Sequence, residues 1–391
     1  MERFDVVIVG GAAIGSAAAY FLAAAPDFTG SVLVLEKDFS YERCATARSA
    51  ASIRHQFSTP ENVRMSQYGT QFIRDIGLHL GVDGDAPDVA FHEAGYLFLA
   101  TAPGRAVLEA NHRIQRELGV DVALLGRDEL KARFPWLEVG DLSAGSLGLS
   151  GEGWLDAYGL MRAFRRKAIA LGVTYRQAEV VAVERDGHRA RGVTLADGSR
   201  IACAVVINAA GTGARALARS AGIALPVESR KRCVFYFTSP AALPGCPLVI
   251  DASGAYFRPE GAGFICGISP PVDQDPECFD FEVTHDLFDE VLWPTLAARV
   301  PQFEAARVLN AWAGHYDVNT LDHNVILGAH PDVENLLFAN GFSGHGLQHS
   351  PAVGRALSEL VTGSGYRTLD LSRFGWARVL AGRPLREVNV V

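Results

Sequence analysis

The chain has 391 residues, more than a single hydrophobic core usually serves, so we expect two domains. Its composition, 49% hydrophobic and 20% charged, is typical of a globular protein. A net charge of −8, without a dense patch of Lys and Arg, argues against nucleic acid as a partner, because phosphate binding needs such a patch.

The first 36 residues predict a strand, a turn, a helix and a second strand. Residues 5–9 form a β-branched run typical of a buried strand, and residues 10–15 interrupt it with glycines. Residues 16–25 have a helix-forming composition, and residues 31–35 form the second strand. Two buried strands joined by a helix predict a right-handed βαβ unit with parallel strands.

The rest of the chain first mixes helices with short strands and then changes character. Further helices are expected over 60–79, 103–119, 157–171 (with Asp156 as its N-cap), 283–299 and 351–363. Strands are expected over 173–183, 192–195 and 204–208. From residue 227 to residue 269 the strands become longer, with turns at 244–245 and 259–261, which predicts an antiparallel sheet.

The turn after the first strand predicts a dinucleotide site. A strand that leads into a helix N-terminus presents free backbone N–H groups and the positive end of the helix dipole, which favour a pyrophosphate. Gly10 permits the tight turn, Gly15 allows close packing, and Glu36 ends the second strand, where it can bind a ribose. Ala12 stands where the pattern usually has glycine, so we expect a negative φ there. A tight turn in a nucleotide-free domain is the alternative.

Later segments distinguish this chain from a nicotinamide dehydrogenase, which would usually continue with more βαβ units. Residues 47–57 and 206–213 are rich in small residues, and residues 339–348 form a glycine-rich entry to a helix. With these segments the chain resembles the D-amino acid oxidase and sarcosine oxidase superfamily of flavoproteins. The resemblance covers nearly the whole chain and is most specific in residues 253–258, 311–317, 341–348 and 370–372.

The resemblance implies a fold of class α/β plus α+β. A Rossmann-like FAD-binding domain would be interleaved with a substrate domain built on an antiparallel sheet. The FAD-binding domain is expected to comprise residues 1–84, 145–220 and 320–391, and the substrate-binding domain residues 85–144 and 221–319. The flavin ring would lie between them, with a helix N-terminus aimed at its pyrimidine edge, where the helix dipole stabilises negative charge.

FAD is the cofactor that the resemblance implies, and we expect it to be bound noncovalently. Sarcosine oxidases tether the flavin to a cysteine two residues before the tyrosine that matches Tyr316, and this chain has Gly314 there. The expected FAD contacts are Gly10, Ala12, Ala13, Ile14, Gly15, Glu36, Lys37, Arg48, Ser49, Ala50, Val180, Ala209, Gly211, Gly314, Gly341, Gly344, His345, Gly346, Leu347 and Gln348. For Arg48, a solvated surface arginine is the alternative.

Five side chains are expected at the substrate site. Arg54 resembles the carboxylate-binding arginine of sarcosine oxidases, and its planar fork suits a carboxylate. Tyr316 resembles their active-site tyrosine. His345 and Gln348 lie in the expected flavin loop, and Tyr256 shares a strand face with Arg258. The alternatives are a surface or ribose-contacting arginine for Arg54 and a core tyrosine with a satisfied hydroxyl for Tyr316.

Departures from the related enzymes shape the expected substrate. Glycine oxidases have arginines where this chain has Tyr316 and Gly344, and sarcosine oxidases have a carboxylate-binding lysine where it has Gln348. Ile265 replaces another lysine, which activates O2 in sarcosine oxidases, so we expect slow reoxidation by O2. These departures favour oxidation of a small N-methyl or N-carboxymethyl amino acid to an amine and an oxo-acid, with O2 or another electron acceptor.

Two other functions stay open. One is a flavin dehydrogenase of D-amino acids that uses an acceptor other than O2. The other is a non-catalytic flavoprotein that assists the assembly of a respiratory complex, as one mitochondrial relative suggests. The oligomeric state is open as well.

The sequence also predicts a cytoplasmic protein without a membrane span or a metal. The apolar run Val6–Val9 lacks the basic start and the length of an export signal, and no segment approaches the roughly 20 apolar residues of a membrane span. Six cysteines without CxxC spacing favour free thiols in a reducing compartment. The pair His345 and His349 is expected within the glycine turn, which argues against a helical metal site.

Overall fold

Two eight-stranded sheets organise the computed structural model, which describes residues 2–363 and 365–388. The strands are β1 (Glu2–Val9), β2 (Val32–Glu36), β3 (Ser52–Ile53), β4 (Tyr96–Thr101), β5 (Val122–Gly126), β6 (Leu142–Gly148), β7 (Gly153–Trp154), β8 (Thr174–Gln177), β9 (Val180–Asp186), β10 (Arg189–Leu195), β11 (Arg200–Asn208), β12 (Val227–Thr238), β13 (Leu248–Ile250), β14 (Tyr256–Glu260), β15 (Gly263–Gly267), β16 (Arg307–Asn319), β17 (Ile326–His330) and β18 (Val333–Asn340). The α-helices are α1 (Ala13–Ala24), α2 (Pro60–Arg74), α3 (Ile76–Leu80), α4 (Arg105–Glu117), α5 (Arg127–Arg133), α6 (Ala157–Ala170), α7 (Ala214–Ser220), α8 (Trp293–Arg299), α9 (Gly346–Val361) and α10 (Trp376–Leu380).

The first sheet has the order β17-β18-β11-β1-β2-β8. β10 also pairs with β11, and β9 pairs with β10. Its central strands are parallel, and β1 pairs with β11 on one side and with β2 on the other. Strand order therefore reverses at β1, and a crevice opens at the carboxyl end of such a strand. The predicted βαβ unit is confirmed, and α1, α6 and α9 pack together on one face of this sheet.

The second sheet has the order β16-β12-β15-β14-β13-β4-β6-β5 and is antiparallel except where β13 meets β4. Side chains alternate across it, as strand geometry requires. One face packs into an aromatic core that includes Phe235, Phe237, Phe257 and Phe264. The residues between them face the opposite way, towards the first domain, and this face carries the cavities described below.

The predicted fold class, a Rossmann-like domain interleaved with an antiparallel-sheet domain, is confirmed. The predicted boundaries between the two domains stay a prediction, although β6 (Leu142–Gly148) runs across residue 145, where we divided them. The helix expected over 157–171 is present, and Asp156 caps it by accepting the Gly159 N–H at 2.9 Å.

Several predicted element boundaries are wrong. The helix expected over 60–79 divides at Asp75 into α2 and α3, and the strand expected over 173–183 divides into β8 and β9. The helix expected over 283–299 begins with a π-helical turn, Phe288–Leu292, before α8. In each case a local change of direction interrupts a composition that favours one continuous element.

The last long helix also begins earlier than predicted. α9 starts at Gly346, so Pro351 lies inside it, whereas proline usually marks a helix start because it lacks an N–H. The Leu347 carbonyl, which would accept that N–H, accepts the Ser350 hydroxyl at 2.8 Å instead. Consequently His345 is the N-cap residue and His349 lies in the first turn, so placing His349 within the glycine turn is wrong.

Candidate cofactor and substrate site

The β1–α1 turn is shaped for close backbone packing. Gly10 has φ = 97°, and a Cβ there would lie 2.3 Å from the Ala209 carbonyl oxygen, so only glycine fits. Ala12 has φ = −72°, which confirms the predicted negative value and removes any penalty for its methyl group. The N-cap residue Ala12 forms no side-chain capping bond, and the Ala13 N–H makes only a long bond, 3.4 Å, to the Thr46 hydroxyl. The N-terminus of α1 can therefore receive a pyrophosphate.

Glu36 and Tyr41 flank this turn with groups that fit a ribose. The Glu36 carboxylate accepts the Gly11 N–H at 2.8 Å and the Asp38 N–H at 3.1 Å, which orients it at the end of β2. The buried Tyr41 hydroxyl has no hydrogen-bond partner among residues 2–363 and 365–388. It lies 3.1 Å from the position that a Cβ on Gly11 would take. A bound ribose would satisfy this hydroxyl, so the residues present fit the adenosine part of FAD.

The remaining predicted cofactor residues lie on several elements around the crevice. Ala13, Ile14 and Gly15 begin α1, Lys37 is exposed after β2, Val180 begins β9, Ala209 and Gly211 follow β11, Gly341 follows β18, and Gly346 and Leu347 begin α9. Their assignment to FAD stays a prediction. Gly341 donates its N–H to Asp317 at 2.7 Å, which fixes the start of the loop before α9.

A first cavity of about 860 Å³ lies on the inner face of the second sheet. It brings together predicted site residues from four distant parts of the chain, namely Arg48, Ser49, Ala50, Arg54, Tyr256, Gly314, Tyr316, Gly344, His345 and Gln348. Gly344 has φ = 100°, and a Cβ there would lie 2.6 Å from the Tyr316 ring. The loop therefore needs glycine to pack against this tyrosine.

Arg54 is the best-enclosed cation of the first cavity, with 5% of its surface exposed. Its guanidinium carbon lies 4.5 Å from the centre of the Phe57 ring, and Nη1 lies 3.5 Å from the Tyr96 hydroxyl. Its backbone N–H donates to the Gln348 side-chain oxygen at 2.8 Å, which joins β3 to α9. Arg54 is therefore held as a fixed positive charge in a mostly aromatic setting.

His345 is neutral beside this arginine. Arg54 Nη2 lies 3.0 Å from His345 Nε2, and a guanidinium can only donate, so Nε2 accepts and the ring proton is on Nδ1. Burial, and then the Arg54 charge, hold the pKa of His345 well below its usual value. The neutral ring therefore adds no second positive charge beside Arg54.

A buried acid lies directly behind the Arg54 segment. The Glu152 carboxylate is fully buried and accepts the His55 N–H at 2.6 Å and the Gln56 side-chain amide at 2.8 Å. Burial raises the pKa of Glu152 to about 7, although the hydrogen bonds and the Arg54 charge act to lower it. The sequence did not indicate this residue, because a single glutamate between two glycines follows no pattern.

Tyr316 on β16 and Tyr256 on β14 line the first cavity from the sheet, with β12 and β15 between their strands. Burial raises the pKa of both phenols, so both are protonated at neutral pH. Arg48, predicted to contact the flavin, donates from Nε to the Glu42 carbonyl at 2.6 Å and from Nη1 to the Ala313 carbonyl at 2.9 Å. These bonds fix its side chain beside the cavity.

A second cavity of about 1160 Å³ lies farther along the same sheet face. Ser49 lines both cavities, so the segment 47–51 separates them. The walls of the second cavity are aromatic, with Trp154 and Trp312, and Ile265 lies there as well. Arg258 lines it too, so Tyr256 and Arg258 share a face as predicted but belong to different cavities.

Among the lining residues of the first cavity that the sequence interpretation missed are an aromatic side chain, Tyr96, and a cationic one, Arg232. Tyr96 starts β4 within an apolar strand, where no local signal marks a site residue. Arg232 belongs to a basic run on β12, which resembles a solvated strand edge. It is 14% exposed and forms a two-pronged ion pair with Asp275, with both N–O distances at 2.8 Å.

The cradle for a dinucleotide beside an arginine-lined cavity defines a flavin-dependent oxidoreductase. The family described as "FAD dependent oxidoreductase" matches residues 5–360, and the chain belongs to it. The chain is 45% identical to "FAD-dependent oxidoreductase domain-containing protein 1" of Xenopus laevis, covering 100% of this chain and 85% of that protein. It is 24% identical to "Monomeric sarcosine oxidase" of Bacillus sp. (strain B-0618), covering 99% of both chains.

A solved structure shares the whole fold. The L-proline dehydrogenase from P. horikoshii superposes with a TM-score of 0.85 and 27% identity, covering 98% of this chain and 99% of that one. FAD is accordingly the cofactor of this chain. Within the described residues, every helix falls short of the length and apolarity needed to cross a bilayer.

Proposed function

We propose that the chain oxidises the C–N bond of a small N-substituted amino acid, such as an N-methyl or N-carboxymethyl amino acid. The observation that carries the proposal is Arg54, a buried cation beside the neutral His345 in the first cavity. An arginine fork suits a carboxylate, and a fixed charge in an enclosed site binds it strongly. The relatives named for sarcosine and L-proline support the same class, because both compounds are secondary amines.

The residues of the cavity would position the substrate for this reaction. FAD, when bound, supplies the hydride acceptor. Arg54 would hold the carboxylate and so fix the α-carbon, while Tyr256 and Tyr316 close the cavity on the sheet side. Loss of a hydride from the neutral amine gives a protonated imine of the substrate, which water hydrolyses to an amine and an oxo-acid. No strong base is needed if the site selects the neutral amine.

We also propose that FAD is held without a covalent bond. Gly314 lines the first cavity at the position where the related sarcosine oxidases carry the tethering cysteine. Precipitation with acid should therefore release intact FAD into the supernatant. Flavin that stays with the precipitated chain would contradict noncovalent binding.

The electron acceptor and the location of the protein are further proposals. Ile265 lines the second cavity without a charge, which supports slow reoxidation by O2 and a dehydrogenase role alongside an oxidase role. The six cysteines are all free, which supports a reducing compartment such as the cytoplasm. Fractionation of cells that produce the chain tests the location.

The decisive experiment mixes the FAD-loaded protein anaerobically with a panel of N-methyl and N-carboxymethyl amino acids and follows flavin absorbance. The proposal expects rapid bleaching by at least one of them and little bleaching by its uncharged amide, because Arg54 cannot pair with an amide. Protein that keeps its FAD but is bleached by no amino acid would contradict the proposal and favour a non-catalytic assembly role. Faster bleaching by a D-amino acid with a primary amine would contradict the substrate class alone.

A further inference from the structure

Arg232 uses only part of its hydrogen-bonding capacity. A guanidinium has five N–H groups. Nη1 donates to the Lys231 carbonyl at 2.7 Å and to Asp275 Oδ1 at 2.8 Å, and Nη2 donates to Asp275 Oδ2 at 2.8 Å. Nε is buried and has no hydrogen-bond partner among residues 2–363 and 365–388. Asp275 therefore occupies the end of the fork, and the side formed by Nε and Nη2 is left available.

This available edge belongs to an arginine of the first cavity. Arg232 lines the cavity together with Arg54, and its guanidinium carbon lies 5.3 Å from the centre of the Tyr316 ring. The side chain is 14% exposed, so the group is largely shielded from water. A buried N–H without an acceptor is costly, and a bound carboxylate would supply two parallel acceptors to the Nε–Nη2 edge.

The charge of the first cavity points the same way. Three arginines line it, namely Arg48, Arg54 and Arg232, and no Asp or Glu of the described residues does. Asp275 balances one of these charges from outside the lining. Both Asp156 and Glu260 line the second cavity, so the absence of acids is specific to the first. A cavity with this excess of positive charge favours a ligand with more than one negative group.

We propose that Arg232 binds a second carboxylate of the substrate, so that the substrate is a secondary amino acid with two carboxylates, one held by Arg54 and the other by Arg232. The inference rests on the proposed amine oxidation for its chemistry, but binding of the dicarboxylate can be measured without turnover. The second carboxylate can stand on the N-substituent, as in N-carboxymethylglycine, or on the side chain, as in N-methylaspartate. Both present the same group to the Nε–Nη2 edge.

The test uses two thioethers that match the substrates in shape but have no C–N bond to oxidise. Thiodiacetate has two carboxylates and (methylthio)acetate has one. Each is titrated into the oxidised, FAD-loaded protein, and binding is followed by the change in flavin absorbance. The wild type should bind thiodiacetate about 10- to 100-fold more tightly, as expected for one added hydrogen-bonded charge pair.

Variants of β12 assign the preference to one residue. Arg232→Met should remove most of the preference and leave only the part due to general attraction of the extra negative charge by the other arginines. Arg232→Lys should restore only part of the preference, because an ammonium lacks the fork. Arg230→Met is the matched control. Arg230 lies two residues away on the same strand, pairs with Glu228 and lies outside the lining of both cavities. It should keep the wild-type ratio.

Several results would overturn the inference. The inference fails if the wild type binds both thioethers equally or binds neither. This result does not depend on whether any variant folds. An FAD-loaded Arg232→Met protein that keeps the preference is another, and loss of the preference in Arg230→Met is a third. A strong preference for thiodiacetate without oxidation of any amine would contradict the proposed function and leave only the binding of a second carboxylate at Arg232. If amines are oxidised, the rates of turnover of N-carboxymethylglycine and N-methylaspartate show whether the second carboxylate is on the N-substituent or on the side chain.

Discussion

The two cavities lie on one face of one sheet, share Ser49, and each contain a buried arginine, yet these arginines are bonded differently. In the first cavity, Arg54 packs against aromatic rings and a neutral histidine. In the second, Arg258 donates to the Ala50 carbonyl at 2.9 and 3.2 Å, to the Pro259 carbonyl at 2.8 Å, and to Glu260. Arg258 is thus bonded to two backbone carbonyls and a carboxylate that flank the second cavity.

The comparison shows that burial of an arginine does not by itself indicate a ligand site. What matters is where its N–H groups are directed and whether acids share the cavity. Arg258 supports the segment that separates the two cavities and packs 5.0 Å from the Trp154 ring. Arg54 and Arg232 instead line a cavity that the described acids avoid. We therefore expect substrate recognition in the first cavity and a structural role for the arginine of the second.

The largest expected effect concerns Arg54. Arg54→Ala removes a charge-assisted, two-pronged bond to the carboxylate and should lower kcat/KM by roughly 2–4 kcal/mol in transition-state binding, about 30- to 1000-fold. Arg54→Lys should recover only part of the loss. The measurement is kcat/KM for an amino-acid substrate and for its uncharged amide, which the wild type should distinguish and Arg54→Ala should not.

The FAD content of these variants is the control for that prediction. It should stay near the wild-type value, because Gly10 and Glu36 lie in the separate cradle at β1 and β2. If Arg54→Ala loses FAD, or still distinguishes acid from amide, Arg54 serves the cofactor, and the comparison between the two arginines fails.

The next effect concerns Glu152, the acid behind the first cavity. Burial raises its pKa to about 7 from a usual value of 4.5, so the folded state favours the protonated form. The stability that this raised pKa contributes is fully present below pH 4.5 and is lost as pH rises through 7, by up to about 3.5 kcal/mol at about 1.4 kcal/mol per pKa unit. Glu152→Gln mimics the protonated form and should lack this loss.

Urea unfolding at pH 5 and pH 8 checks that prediction. The wild type should lose about 2–3 kcal/mol more than Glu152→Gln between these pH values, with the other titrating groups common to both proteins. Equal pH dependence in the two proteins would show that Glu152 is ionised in the folded state at pH 5.

A smaller effect is expected for Arg258. Arg258→Met breaks the bonds to the Ala50 carbonyl and the contact with Trp154, and it should lower the free energy of unfolding by about 2 kcal/mol. Discrimination between an amino acid and its amide should persist, in contrast to Arg54→Ala. Urea unfolding together with the amide comparison measures both properties. A variant of normal stability that no longer distinguishes the two compounds would place Arg258 at the substrate.

The smallest effect concerns the second cavity and O2. Ile265→Lys introduces a positive charge that would stabilise superoxide as it forms, and it should speed reoxidation of the reduced protein by O2 about tenfold, equivalent to about 1.4 kcal/mol. Stopped-flow mixing with O2-containing buffer measures the rate, and Ile265→Met is the uncharged control. If wild-type reoxidation already matches that of a lysine-containing sarcosine oxidase, the lysine position is not decisive.

Local sequence patterns were sufficient to predict the βαβ unit and the start of α6. A β-branched run, a glycine turn and a second apolar run together predict a strand, a turn and a second strand joined by a helix. Asp156 caps its helix through a bond to a residue three positions away, so this contact is local in sequence. The turn also determined the conformation of Ala12, because a Cβ excludes a positive φ there. The resemblance to flavoproteins led from these patterns to FAD, to Arg54 and to Tyr316.

The tertiary structure alone decided how these pieces form a site. Arg54 and His345 are 291 positions apart and meet because β3 and the start of α9 converge on one cavity. Tyr256 and Arg258 share a face, but segment 47–51 separates them into two cavities, and no periodicity encodes that segment's position. Likewise Arg232 looks like part of a solvated basic run, and only the structure shows that it lines the first cavity with Asp275 bonded to one edge of its fork. Such roles depend on contacts between distant residues, whereas periodicity and capping report only on neighbours along the chain.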